Sequence, residues 1–386
     1  MRLRRRRDHR TFDDHYFDTL AEQVQRLVEH GTDINEALEA AGKAVGSTPD
    51  ISAPRLAAAL VRRAPRMLRE RRRLHRGFNR RLRKHWGRGL DLLYVITVCC
   101  EEAGADFYTE RVAKRGHYSR RALHEALTGL HARASRTALE VQHLLSGGFP
   151  MGALARCRTL HELAVTSMIL AKYGVRDEHA DLAERFLLHA DVQSWSEAQT
   201  HQQNWVALGS EPFSEEDMAA LKARRETLIG QYGPDYKGTY GWAAGIEGMT
   251  KPQFSDLERV AEVRHLRGYY RWASHEVHSD SKGSALNVRE RGGQPFKQSG
   301  YTNVGLADPG QLAAISLHQV TVSVLLSEDP ISPRDLLTLM AMQHLLDDVC
   351  EAMVEGERSV ESAEERHQAR KAGRRGRRWP FWLLRS

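Results

Sequence analysis

Long apolar runs are missing from this sequence. No run of 18 apolar residues occurs, and the longest candidate, Leu90 to Cys100, contains Asp91. A membrane-spanning helix needs about 20 such residues, so none is expected. Cysteine is also scarce. Cys99, Cys100, Cys157 and Cys350 show neither metal-ligand spacing nor a disulfide framework, and they read as reduced, buried thiols of a cytoplasmic protein. Behind Met1 come Arg2, Arg4, Arg5, Arg6 and Arg7 with no apolar stretch, which predicts no secretory signal. Twelve prolines and 30 glycines in 386 residues are too few for a fibrous or low-complexity chain. The chain also lacks a phosphate-cradling Gly-rich loop after a strand, a Gly-x-Ser-x-Gly elbow and a Cys-x-x-Cys pair. Those absences leave no cofactor expected and the common hydrolase and nucleotide-binding templates unmatched.

What is present is a soluble composition, 41% apolar and 28% charged, with its charge strongly partitioned. Residues 1–90 hold 22 Lys and Arg against 11 Asp and Glu, the segment from Arg366 to Ser386 holds eight basic residues and no acid, and residues 91–365 hold 27 basic against 39 acidic ones. Two basic ends flank an acidic body. Such asymmetry points to a polyanion, RNA or DNA or an anionic membrane surface; the alternative is that the ends fold back on the middle, within one chain or in a homodimer. Arginine outnumbers lysine 47 to 10, a bias that reduces what any single Arg run conveys.

Almost every segment has helical periodicity. Phe12, Tyr16, Leu20, Val24, Leu27 and Val28 form one stripe, and Thr32 or Asp33 caps a second helix through Val45. Ser52 is placed to cap a third, whose basic stretch Arg55–Arg88 carries a narrow seam of Leu56, Leu60, Met67, Leu68, Leu74, Phe78 and Leu82. Segments 90–103, 119–145, 152–173 and 178–203 are amphipathic and form the expected bundle. Ser214 opens a further helix, residues 230–250 read as a Gly-, Tyr- and Trp-rich loop, and 255–278, 311–326 and 333–354 return to helix. Ala285–Arg291 and Pro295–Thr302 around Gly292-Gly293 read as a hairpin. The expectation is an all-α, multi-helix bundle with one β-hairpin near residues 285–304. It divides into a basic N-terminal region (1–90), a bundle core (91–356) and a basic, Trp-containing tail (357–386).

Two polar blocks carry candidate chemistry. In the stretch from Tyr269 to His278, Arg271, Ser274, His275 and His278 recur at i, i+3, i+4 and i+7, so a continuous helix puts them on one face. A guanidinium beside imidazoles suits an anion, and an imidazole moves protons near neutral pH. A zinc site is not expected, because His275 and His278 lack the i, i+4 spacing and a third ligand. In the second block, Arg158 and Glu162 are i, i+4, with His161 at the apolar border. The competing reading of both blocks is a helix–helix contact whose polar groups satisfy one another. They become one site only if the fold brings them together. Asp347, Asp348 and Glu351 form an acidic face whose simplest reading is solvation.

The stretches Arg158-Thr-Leu-His-Glu-Leu-Ala and Tyr270-Arg-Trp-Ala-Ser-His-Glu-Val-His-Ser-Asp-Ser-Lys-Gly283 resemble an uncharacterised bacterial helical family, domain of unknown function 5677, over about residues 120–330. The resemblance implies an all-α domain without assigned catalytic residues. A more distant similarity is to HEPN helical domains, many of them ribonucleases of toxin and phage-defence systems, whose hallmark is an Arg followed after four to six residues by a His. Arg156 to His161 and Arg271 to His278 have that spacing, although Cys157 and Trp272 stand where those domains often carry a polar residue.

The basic helix adds Arg62, Arg66, Arg69 and Arg73 on one face, and the C-terminus joins Arg374, Arg375, Arg377 and Arg378 to Trp379, Phe381 and Trp382. Arginines at that spacing suit phosphates. Aromatics beside cations suit a membrane interface or a protein partner. Three functions are therefore expected to compete: nucleic-acid association through the basic regions, metal-independent RNA cleavage at the histidine blocks, and an adaptor whose tail docks elsewhere.

Overall fold

The computed structural model describes residues 12–375 apart from 48, 115–117, 119, 280, 287, 292–293 and 329. It is all-α and separates into two compact units, Met1–Phe78 and Asn79–Ser386. Among the described residues no helix is long and apolar enough to cross a membrane.

In the first unit α1 (Phe12–Glu29) and α2 (Ile34–Ser47) form a helical hairpin. Gly31 takes φ +88° at the bend, where a side chain would be strained, and Asp33 Oδ1 accepts the Asn35 N–H at 2.8 Å. Ala37 and Ala41 are small enough to be fully covered, at 0% and 1% exposure. The following helix, α3 (Pro49–Phe107), starts earlier and runs further than the sequence suggests. It absorbs Pro54 and Pro65 and joins the basic stretch to the segment expected as a separate helix at 90–103. The expected seam is also corrected. Phe78 and Leu82 are buried, whereas Met67, Leu68 and Leu74 are exposed; periodicity marks a face but not what covers it.

The second unit is built on α4 (Arg121–Ser146), α5 (Pro150–Tyr173) and α11 (Ala307–Leu325). Gly147-Gly148-Phe149 turns α4 into α5, with Gly148 at φ +79°, and so short a connection makes the two antiparallel neighbours. Val141 and Leu145 of α4, Leu160 and Ala164 of α5, and Leu317 and Val320 of α11 are each at most 1% exposed, and the three helices pack against one another. Beside them α12 (Pro333–Arg375) lies antiparallel to the second half of α3. His85 Nδ1 is 2.8 Å from Ser359 Oγ, Arg88 pairs with Glu355 at 2.6 Å, and Cys100 Sγ is 4.0 Å from Met342 Sδ. Trp86 is fully buried and donates Nε1–H to Asn303 O at 3.0 Å. A Cβ at Gly356 would lie 2.5 Å from that indole, so only glycine fits there.

A second close approach sets a pH dependence. A Cβ on Gly104 would fall 2.2 Å from the His131 ring, so glycine lets the imidazole sink between α3 and α4, with Nε2 3.1 Å from Thr321 Oγ1. Burial pushes the His131 pKa down to about 4. The unfolded ring takes up a proton near 6.5 and the folded one only near 4, so stability is complete above about 6.5 and declines as pH falls to 4, by on the order of 3 kcal/mol. Denaturant titrations of wild type and His131→Gln between pH 7 and 4 check this, with a flatter profile expected for the variant. Superimposable profiles would assign the acid sensitivity to other groups.

The remaining elements wrap this core. Ser214 caps α7 (Glu215–Tyr232) by accepting the Asp217 N–H at 3.0 Å, and α7 returns along α6 (Leu182–Leu208), where Arg224 meets Asp191 at 2.9 Å. The loop after α7 is tightly folded: Tyr236 is fully buried and donates its hydroxyl to Arg185 O at 2.6 Å. The expected helix 255–278 is split into α8 (Phe254–Val260) and α9 (Arg267–His275), with Glu262 at φ +63° between them. The expected hairpin is corrected too. Residues 285–286 belong to the short helix α10 (Ser281–Leu286) and 298–304 are irregular. What pairs is only a four-residue ribbon, β1 (Val288–Arg291) against β2 (Gln294–Lys297), with Val288 opposite Lys297. Gly283 and Ser284 sit in a helical turn instead of leading into a strand.

Candidate functional site

The two polar blocks meet, because α9 packs across α5. Tyr270 donates its hydroxyl to Glu162 Oε1 at 2.8 Å, and the Arg158 guanidinium lies over the Tyr270 ring, 4.9 Å from its centre. Arg158 Nε is 3.3 Å from Glu162 Oε1, the pair that the i, i+4 spacing predicts. Arg158 Nη1 donates to His278 Nε2 at 3.3 Å, so at this contact the ring nitrogen is the acceptor. Helix α9 ends at His275, three residues before His278, but the His278 N–H still bonds Ser274 O at 3.1 Å and keeps the turn wound. Arg271 is exposed and His275 half-buried.

Beneath this surface lies a polar group that sequence reasoning missed. Glu258, on α8, is fully buried. His161 Nε2 donates to its Oε1 at 3.0 Å, and Arg267 Nη1 donates to its Oε2. Burial alone would raise the carboxyl pKa, but the hydrogen bonds and charges of His161 and Arg267 outweigh it and hold Glu258 below the usual carboxylate range. Phe254 stands edge-on to His161, with ring centres 5.7 Å apart, and stacks near Tyr270 at 4.7 Å. Burial, with Glu162 adding to it, raises the Tyr270 hydroxyl, and burial pushes Tyr240, whose ring centre is 5.8 Å from that of Phe254, up to about 12. The space left between α5 and α9 is only about 10 Å³, at most a single water. His161 therefore works inside a filled contact, while Arg158, Glu162, Arg271, His275 and His278 border solvent. Glu258 offered no sequence signal: an acid in the amphipathic run Asp256-Leu-Glu-Arg reads as surface until α5 covers it.

The other candidate positions fall elsewhere. Arg156 turns to α4 and meets Glu140 at 2.6 Å, while His161 turns to α8, so that spaced pair does not converge. Asp347, Asp348 and Glu351 are exposed on α12. Among the described residues no group of three His, Cys, Asp or Glu side chains is placed to hold a metal ion. Arg62, Arg66, Arg69 and Arg73 are all exposed on α3. Arg374 and Arg375 end α12, with side chains outside the described residues, as are Trp379, Phe381 and Trp382.

The segment that carries both polar blocks also carries the relationship to other proteins. Residues 124–295 match a family of unknown function, DUF5677. The DUF5677 match runs from α4 into β2 and includes Arg158, His161, Glu162, Glu258, Arg267 and Tyr270, the whole network described above. It ends before the strongly apolar α11, although that helix completes the core on which α4 and α5 rest. No curated protein and no solved structure matches the chain.

Proposed function

We propose that this protein associates with nucleic acid through the arginine stripe of α3. The observation that carries the reading is that Arg62, Arg66, Arg69 and Arg73 are exposed on one helical face, with no acidic partner among the described residues. Arg63, one residue off that face, does pair, with Asp18 at 2.9 Å. Four cations in about 16 Å of helix present a ladder to a phosphate backbone, and each contact releases roughly one counterion. The sequence carries no helix-turn-helix or other base-reading motif beside them, so binding is weak, sequence-tolerant and steeply salt-dependent. Anisotropy titrations of a single-stranded RNA and a duplex DNA over a range of salt test it. Replacing the four arginines by Gln flattens the log–log salt slope by up to about 4. An unaltered slope would move the affinity to another region, with Arg374 and Arg375 the next to replace.

A second reading rests on the Arg158–His278 contact. There a guanidinium and an imidazole share a solvent-facing edge with Arg271 nearby in sequence, a pairing suited to metal-independent RNA cleavage of the kind the HEPN resemblance implies. Arg158 or Arg271 would hold the phosphate and His278 would move the proton of the 2′-hydroxyl.

A further inference from the structure

The outer face of α4 has a charge pattern that a single copy of the chain uses only in part. The point between Leu130 and His131 is a centre of pseudo-symmetry: Gly129 mirrors Ala132, Glu125 mirrors Arg136, and Arg121 mirrors Glu140. At 100° per residue these positions fall on one stripe, and each mirrored pair of charges is opposite in sign. Glu125, Gly129, Ala132 and Arg136 line a groove of about 550 Å³ between α4 and the end of α3, with Tyr108 on its far wall.

We infer that α4 is the two-fold interface of a homodimer, packed antiparallel against α4 of a second copy. A two-fold axis through the centre of pseudo-symmetry brings Glu125 of each copy to Arg136 of the other and Arg121 to Glu140. Gly129 and Ala132 cross at the axis, where their small size lets the backbones approach. The charge complementarity is what commits the groove to a second copy: a helix laid parallel in the same register would set like charges against each other. Within one chain, Arg136 is 71% exposed and reaches Glu140 only at 4.0 Å, so its charge is largely unspent. Glu140 already holds Arg156 at 2.6 Å and Glu125 holds Arg121 at 2.8 Å, so the inner Glu125–Arg136 pairs distinguish the interface most sharply.

The experiment uses the full chain and sedimentation velocity at about 50 µM, where a micromolar association is well populated. Wild type is expected as a dimer. Arg136→Glu sets Glu against Glu125 of the other copy and Glu125→Arg sets Arg against Arg136, so each single variant should associate at least about 100-fold more weakly. Mixed in equal amounts, the two variants should recover a dimer, because every facing pair is then complementary again. Gly129→Leu is a steric control: a Cβ there meets nothing within 4 Å in the single chain, so it should leave the melting curve intact while abolishing the dimer. A monomeric wild type overturns the inference, as does a dimer that survives both charge reversals. Single variants that fail to recover a dimer on mixing, while keeping wild-type melting curves, overturn the antiparallel register.

Discussion

Replacing Glu258 by Ala should cost the protein about 3–5 kcal/mol, the range for removing one partner of a buried ion pair. The carboxylate is fully buried between His161 and Arg267, and its loss leaves two donors facing an apolar wall that includes Phe254. For a unit of this size that corresponds to a melting temperature about 5–8 °C lower. Glu258→Gln should fall between, since the amide oxygen still accepts one hydrogen bond but carries no charge. The pH dependence has a definite sign. Glu258 is held below its usual range in the folded state, so its contribution is present above the unfolded carboxylate pKa and is lost as pH falls through the folded one. A melting temperature within 1 °C of wild type would show that the His161–Glu258–Arg267 group is not what locks α8 and α9 onto α5.

Under the cleavage reading, His278→Ala and Arg158→Ala should each lower single-turnover cleavage of a structured RNA by roughly 10²–10⁴-fold, the range for losing a positioned acid–base group. His278 is exposed, with Arg158 Nη1 3.3 Å from its Nε2, so His278→Ala should leave the melting curve unchanged. This separates it from Glu258, where stability falls first. Activity should persist in chelator. Wild type without cleavage above a mock preparation would leave nucleic-acid association as the function and Arg158–His278 as a surface contact. Loss of cooperativity in His278→Ala would show that the turn after α9 needs the imidazole to fold.

Sequence by itself determined the class of the fold and the chemistry available to it. Periodicity of 3.6 residues is a local property, and it located the helices of the bundle, the Ser214 cap and the i, i+4 pairing of Arg158 with Glu162. Charge partition is likewise local and marked the arginine stripe. Where helices end was less legible. Nothing in residues 255–278 announces that Glu262 adopts φ +63°, because the break is set by how α8 and α9 must turn to cover α5. The same holds for the ribbon: the expected strand from Ala285 is a helical turn at its start, since Ser281–Leu286 forms a helix. Only the tertiary structure could bring Tyr270 to Glu162 across 108 residues of chain, or bury Glu258 among a histidine and an arginine from two other helices. A carboxylate becomes structural or reactive according to the dielectric and donors around it, and those come from residues far away in sequence. The residue types were readable along the chain; their surroundings were made by packing.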